Sequence, residues 1–146
     1  MTEQVELTQS ASGEANILCQ GKPLYSRYAP SAAAEKGVQQ IPLQENCIYI
    51  IPSPLLGYGI SSFKDLLPSS SLILGIETDQ SLMAVCAPYL GALEDECFSA
   101  WRVDAGASLY EVFKGVIEQG KHFRHCRLVP LNSGYQLNKG LYDALF

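Results

Sequence analysis

The feature that most constrains the fold is the stretch at residues 47–79, which reads CIYIIPSPLLGYGISSFKDLLPSSSLILGIETD. An apolar run at 47–51 precedes a loop of proline, serine and glycine, and a short amphipathic segment follows. A second apolar run at 71–77 comes after a proline-serine turn. Runs that are apolar nearly throughout are typical of parallel strands covered on both faces. The stretch therefore predicts a strand, a tight turn, a helix and a second strand.

Composition limits the classes of protein that this chain can belong to. Its 146 residues are 47% hydrophobic and 17% charged, which indicates one folded domain with a sizeable core. Fifteen acidic against ten basic residues give a net charge of −5, which argues against nucleic acid as a partner. No apolar run approaches the ~20 residues that span a bilayer, and the first residues do not resemble a secretory signal. We therefore expect a cytoplasmic protein without a membrane or nucleic-acid partner.

The cysteines indicate a reducing compartment. No two of the five are spaced as CxxC, and four lie in or beside apolar runs. This pattern favours buried free thiols over a disulfide framework or a zinc site. The five are Cys19, Cys47, Cys86, Cys97 and Cys126.

The chain before residue 47 divides into a polar tail and two short elements. Residues 1–14 lack periodicity and are predicted to form a flexible tail. Residues 16–19 and 23–28 flank Gly21 and predict a β-hairpin. Ser31 is predicted to cap a short alanine-rich helix that ends before Pro42. Residues 15–146 are expected to form a single α/β domain of a longer protein, because the last residues are apolar and amphipathic.

The remaining pattern alternates helices with strands. Helices are predicted from about residue 57 to 67, at 81–90, at 109–119 and from 137 onward, and strands at 97–103 and 125–131. Such alternation predicts a three-layer α/β fold with right-handed crossovers. The expected architecture is a Rossmann-like, methyltransferase-like and mostly parallel sheet, preceded by the small N-terminal β-hairpin.

The turn after the first core strand is the main candidate for ligand binding. In parallel α/β proteins a nucleotide often lies across this turn, where glycines let backbone N–H groups approach a phosphate. The candidate residues are Ser53, Gly57, Tyr58 and Gly59. Pro52 and Pro54 remove N–H donors, so an equally good interpretation is a tight strand-to-helix turn.

Glu77 is the fifth candidate for cofactor binding. It lies twenty positions after Gly57, close to the spacing of about 20 residues expected for a ribose-binding carboxylate. Asp79 is better interpreted as the N-cap of the next helix. The ligand considered for these residues is S-adenosylmethionine (SAM) or a nucleotide-sugar, whereas the tight-turn interpretation requires no cofactor. The pattern names no catalytic residue and no metal ligand.

Two further segments bear on function. Residues 121–127, KHFRHCR, form the basic cluster and contain both histidines. They are interpreted mainly as a helix end followed by an exposed edge strand, with an anion site as the alternative. Residues 132–135, NSGY, follow the predicted fourth strand, where they either face the turn at 53–59 or form an ordinary serine-glycine turn.

Several short motifs together resemble the N-terminal part of the motility-associated factor (Maf) family. They are LYSRYAP at 24–30, LGYG at 56–59, GIETD at 75–79, FRHCRLVPLNSGY at 123–135 and LYDALF at 141–146. The family has a glycine-rich turn of the kind GLGLGYH. Here Ser53 and Leu55 replace the first two glycines and Gly59 replaces the histidine, whereas Gly57 and Tyr58 match.

The resemblance implies an accessory domain of a bacterial flagellin glycosyltransferase. Family members are longer cytoplasmic proteins with a central sialyltransferase-like domain, and they are implicated in adding nonulosonic acids to flagellin. The implied partners are flagellin or the rest of a longer chain, and the implied role of this domain is non-catalytic.

Two alternatives remain beside this expectation. One is a diverged SAM- or nucleotide-binding domain that uses the turn and Glu77. The other is a domain that only mediates assembly, with the edge strand and the apolar C-terminal helix as its oligomer interface.

Overall fold

The computed structural model describes residues 5–103, 114, 123–137 and 139–140. A small antiparallel sheet opens the chain, with strands β1 (Val5–Gln9), β2 (Ala15–Cys19) and β3 (Lys22–Pro23) in that order. Gln20 and Gly21 both have positive φ, 53° and 77°, as a two-residue hairpin turn of the right twist requires. The predicted hairpin is thus confirmed, with a shorter second strand than expected.

The prediction of a flexible tail at residues 1–14 is wrong for residues 5–9. These residues pair with β2 over five positions, from Val5 opposite Cys19 to Gln9 opposite Ala15. Polar composition hid this strand because its side chains are mostly exposed, and only the pairing partner orders it. Residues 1–4 lie outside the described residues.

The main sheet has four parallel strands. They are β4 (Cys47–Pro52), β5 (Leu72–Glu77), β6 (Phe98–Arg102) and β7 (His125–Leu128). Their order in the sheet is β6-β5-β4-β7, and every neighbouring pair is parallel. The chain therefore moves outward from β4 to β6 and then returns to the other side of β4. The carboxyl ends of β4 and β7 meet where this direction reverses.

Buried side chains cover both faces of the sheet. Every residue of β4 and β5 is buried, as the apolar runs predicted. Odd-numbered residues of β4, such as Tyr49 and Ile51, join one cluster, while Ile48 and Ile50 join a second cluster on the opposite face. Tyr49 packs edge-on against Phe63 of the following helix, with ring centroids 5.0 Å apart.

Four helices are described. They are α1 (Pro30–Gln39), α2 (Ile60–Leu66), α3 (Gln80–Gly91) and α4 (Gly134–Leu137). The prediction that Ser31 caps α1 is wrong, because the cap position is Ala29 and the helix begins on Pro30, whose fixed φ suits a first turn. The last helix begins at Gly134, earlier than predicted. The predicted helix at 109–119 lies outside the described residues except at residue 114.

The cysteines are free, as expected, but they are not all buried. Cys19, Cys47 and Cys86 are buried, Cys97 is half-buried, and Cys126 is exposed because it lies on β7 at the border of the sheet. Among the residues described, no helix is long and apolar enough to cross a bilayer.

Candidate functional site at the carboxyl edge of the sheet

Ser53 and Glu77 join the carboxyl ends of β4 and β5. Ser53 Oγ donates a 2.6 Å hydrogen bond to Glu77 Oε1. Glu77 Oε2 accepts from the backbone N–H groups of Thr78 and Asp79, at 2.9 and 3.0 Å. Asp79 Oδ1 in turn accepts from the Leu82 N–H, which confirms Asp79 as the N-cap of α3. One carboxylate thus fixes the end of β4 and the start of α3.

The backbone after β4 is strained at two positions. Ser53 and Leu55 have φ values of 52° and 53°, in a region that residues other than glycine rarely occupy. Both residues are fully buried, and the Ser53 N–H still bonds to Ile76 O at 2.8 Å. Glycine would adopt this conformation without strain, so the surrounding contacts must hold the two larger residues in it.

The glycines of the turn face protein atoms. A Cβ on Gly57 would overlap a methyl group of Leu93, and one on Gly59 would lie 3.1 Å from Val38 and 3.2 Å from Ala34. Both glycines have positive φ, 80° and 88°. They are therefore required for the turn and for close packing against α1 and the end of α3, as the turn interpretation expected.

Tyr25 was not identified from the sequence, yet it supports the middle of the turn. Its buried hydroxyl donates to Pro54 O at 3.1 Å and accepts from the Leu56 N–H at 3.0 Å. Burial raises the pKa of Tyr25, so the hydroxyl remains a donor across the physiological range. Asn16 Oδ1 accepts from the Tyr25 N–H at 3.2 Å and its Nδ2 donates to Tyr25 O at 3.3 Å, so the small sheet holds this tyrosine in place.

Tyr58, another predicted site residue, also points back to the small sheet. Its hydroxyl donates to Ala15 O at 2.7 Å, and its ring meets Tyr25 edge-on with centroids 4.9 Å apart. The N-terminal sheet is thus attached to the turn through two tyrosines. No signal in the local sequence specifies these contacts, because the hydrogen-bonded partners are separated by 29 to 43 residues.

The segment after β7 lies against the same turn, which was one of its two interpretations. Asn132 Nδ2 donates to Ser53 O at 2.8 Å, and Asn132 Oδ1 accepts from the Gly134 N–H at 2.6 Å. A Cβ on Gly134 would lie 2.5 Å from Ser53 Oγ. The point at which ligands bind in open α/β sheets is therefore occupied by contacts between Ser53 and residues 132–134.

Burial dominates the electrostatics of the edge. It raises the pKa of Glu77, while the hydrogen bonds from Ser53 and Asp79 oppose the rise. Burial and then the neighbouring Glu77 raise the pKa of the Cys86 thiol to about 12, so this thiol is not activated. Among the described residues, no group of three or more His, Cys, Asp or Glu side chains is placed to hold a metal.

A cavity of about 280 Å³ lies away from this edge, on the small antiparallel sheet. None of the five predicted site residues lines it; its walls are Thr8, Gln9, Ser10, Asn16, Leu18, Gly21, Pro23 and Arg27. Of the five predicted residues, Ser53 and Glu77 contact each other at the end of β4, whereas Gly57, Tyr58 and Gly59 pack against other parts of the protein.

Part of the chain resembles part of another known protein. No protein-family model matches the chain. A stretch of 67 residues, 46% of the chain, is 30% identical to an uncharacterized protein of Treponema pallidum (strain Nichols). The match covers 12% of that protein's length, so the chain resembles a small part of a longer protein.

Proposed function

We propose that this chain is an accessory, non-catalytic Rossmann-like domain. Two observations support this proposal: the strand order with its reversal between β4 and β7, and the contacts that fill the carboxyl edge at that reversal. The second observation carries the proposal. Ser53 forms hydrogen bonds with Glu77 and with Asn132 at the position where an active relative of such a fold would receive a ligand.

We further propose that the domain works in protein glycosylation linked to motility, within a Maf-type flagellin glycosyltransferase system. The resemblance of its motifs to the N-terminal part of that family supports this assignment. The proposed partners are flagellin or other parts of such a system. The proposed compartment is the cytoplasm, where its five free cysteines stay reduced.

The competing function is binding of SAM or a nucleotide across the turn, with Glu77 on the ribose. The contacts at this edge disfavour it, because both carboxylate oxygens of Glu77 already have donors and Gly57 is covered by Leu93. Ligand entry would therefore require the edge to separate from residues 132–134. An edge closed by its own hydrogen bonds and packing contacts is the simpler interpretation.

Calorimetry tests this choice directly. The protein would be titrated with SAM, CMP, a CMP-sugar and NAD, with the Glu77→Ala variant as the control. We expect no heat of binding from any of the four. Saturable heat that disappears in Glu77→Ala would overturn the accessory proposal in favour of the cofactor-binding one.

The assignment to flagellin glycosylation needs a separate measurement. Purified flagellin would be immobilised and the protein passed over it, with an unrelated acidic protein of similar size as the matched control. Retention of this protein but not of the control supports the assignment. The measurement is repeated with the complete glycosylation system present, and equal retention of both proteins, or retention of neither, would then contradict the assignment.

A further inference from the structure

We propose that the outer edge of β7 accepts a fifth strand from an extended acidic segment of a partner protein. This inference goes beyond the proposed function and does not depend on it. It rests on the backbone of β7, on the exposure of its side chains and on their charge.

The direction of the β7 backbone groups follows from its bonds to β4. His125 N–H donates to Asn46 O at 3.1 Å, and Val129 N–H donates to Ile50 O at 2.8 Å. Residues of one strand alternate the side to which their backbone groups point. The N–H and C=O groups of Cys126 and Leu128 therefore point away from β4. Within the described ranges, no strand pairs with that side of β7.

The side chains of β7 are unusually accessible for a parallel sheet. Those of His125, Cys126 and Arg127 are all exposed, whereas every residue of the neighbouring β4 is buried. Strands of parallel sheets are normally covered on both faces. The side chains of β7 are instead exposed, as those of a strand at an unpaired sheet edge can be. An incoming strand would gain backbone hydrogen bonds without displacing any side chain of the core.

Charge identifies the kind of strand that fits. Arg124, His125 and Arg127 lie on and beside β7, although the whole chain has a net charge of −5. Arg127 Nε contacts the neutral Gln44 Oε1 at 3.3 Å, and neither arginine forms a salt bridge with a described carboxylate. A second copy of β7 would place like charges opposite one another, which is unfavourable in a strand pair. An acidic strand places opposite charges there.

Binding would be measured by fluorescence anisotropy with a labelled octapeptide of alternating glutamate and valine. The matched probe has lysine in place of each glutamate. We expect saturable binding of the acidic peptide and at least tenfold weaker binding of the basic one. The double charge reversal Arg124→Glu with Arg127→Glu is expected to invert this preference.

A proline substitution separates strand pairing from charge attraction. Cys126→Pro removes an outward N–H and leaves the bonds between β7 and β4 intact, which an edge strand tolerates. Cys126→Ser keeps the N–H and serves as the control. We expect at least a tenfold loss of affinity in Cys126→Pro and no change in Cys126→Ser, with equal unfolding midpoints for both.

Hydrogen exchange of the unmodified protein gives an independent result that requires no variant to fold. The amides of Cys126 and Leu128 are expected to become protected when the acidic peptide binds, while the amide of Val129 is unchanged. Absence of this protection, or affinity that depends on charge reversal but not on Cys126→Pro, would overturn strand addition. Concentration-dependent dimerisation that protects the same two amides without peptide would also overturn it in favour of self-pairing.

Discussion

The hydroxyl of Ser53 donates a 2.6 Å hydrogen bond to Glu77 across the carboxyl ends of two adjacent parallel strands. Both side chains are buried, at 0% and 3% exposure. This contact connects a strained strand end to a carboxylate that also caps the following turn through two N–H groups. The stability of the whole edge therefore depends on a small number of hydrogen bonds.

Replacing Ser53 tests that dependence. Ser53→Ala leaves Glu77 Oε1 without this donor, and we expect a loss of about 1.5–3 kcal/mol in the free energy of unfolding. Ser53→Gly removes the same hydroxyl but relieves the positive φ of 52°, so its loss should be smaller. Urea unfolding of both variants measures the difference. If Ser53→Gly loses as much free energy of unfolding as Ser53→Ala, or more, the backbone at this position is not strained.

The pKa of Glu77 predicts a pH dependence of stability. Because burial raises this pKa above 4.5, the folded state holds its proton more tightly than the unfolded chain does. The stabilisation that the bound proton of Glu77 gives to the folded state is fully present below pH 4.5. It is lost as the pH rises through the raised pKa of Glu77 in the folded state. Glu77→Gln cannot ionise, so its stability should fall less over the same range. Urea unfolding from pH 4.5 upward compares the two proteins, and parallel curves would show that Glu77 is not the responsible group.

Gly134 should not tolerate even one added methyl group. The Cβ of Gly134→Ala would meet Ser53 Oγ at 2.5 Å and Asn132 Oδ1 at 2.8 Å, and we expect a loss of about 1–3 kcal/mol. Gly91→Ala is the matched control, since a Cβ there meets nothing within 4 Å and Gly91 ends helix α3. That variant should be neutral or slightly more stable. Similar melting temperatures for both variants would show that residues 132–134 are not packed against Ser53.

Removing one hydroxyl tests the contact between the small sheet and the turn. Tyr25→Phe leaves the buried Leu56 N–H without this acceptor, which is expected to cost about 1–3 kcal/mol, whereas Pro54 O keeps its bond from the Gly57 N–H. Tyr28→Phe makes the same chemical change at a side chain that is 77% exposed and should have no effect. Thermal unfolding of the two variants provides the comparison. A neutral Tyr25→Phe would mean that the turn holds its conformation without the N-terminal sheet.

Several parts of the molecule could be predicted from local sequence. The apolar runs at β4 and β5 indicated buried parallel strands, and Asp79 was recognised as a helix cap because its role depends on the next three residues. The side chains of β1 gave no such signal, since that strand is ordered by its partner and not by its own pattern. Ser31 has the residue type of a helix cap, but Pro30 sets the start of α1.

The candidate site shows the same division. Spacing along the chain brought Ser53, Gly57 and Glu77 to one edge, because parallel strands place their carboxyl ends together. Whether those residues face solvent or one another depends on segments far away in sequence: Tyr25 on one side and residues 132–134 on the other. The sequence by itself determined the strands, the turn after β4 and the position of the carboxylate. Only the tertiary structure decided that this edge is filled, because burial and hydrogen-bond partners are properties of the packed chain and not of any single stretch.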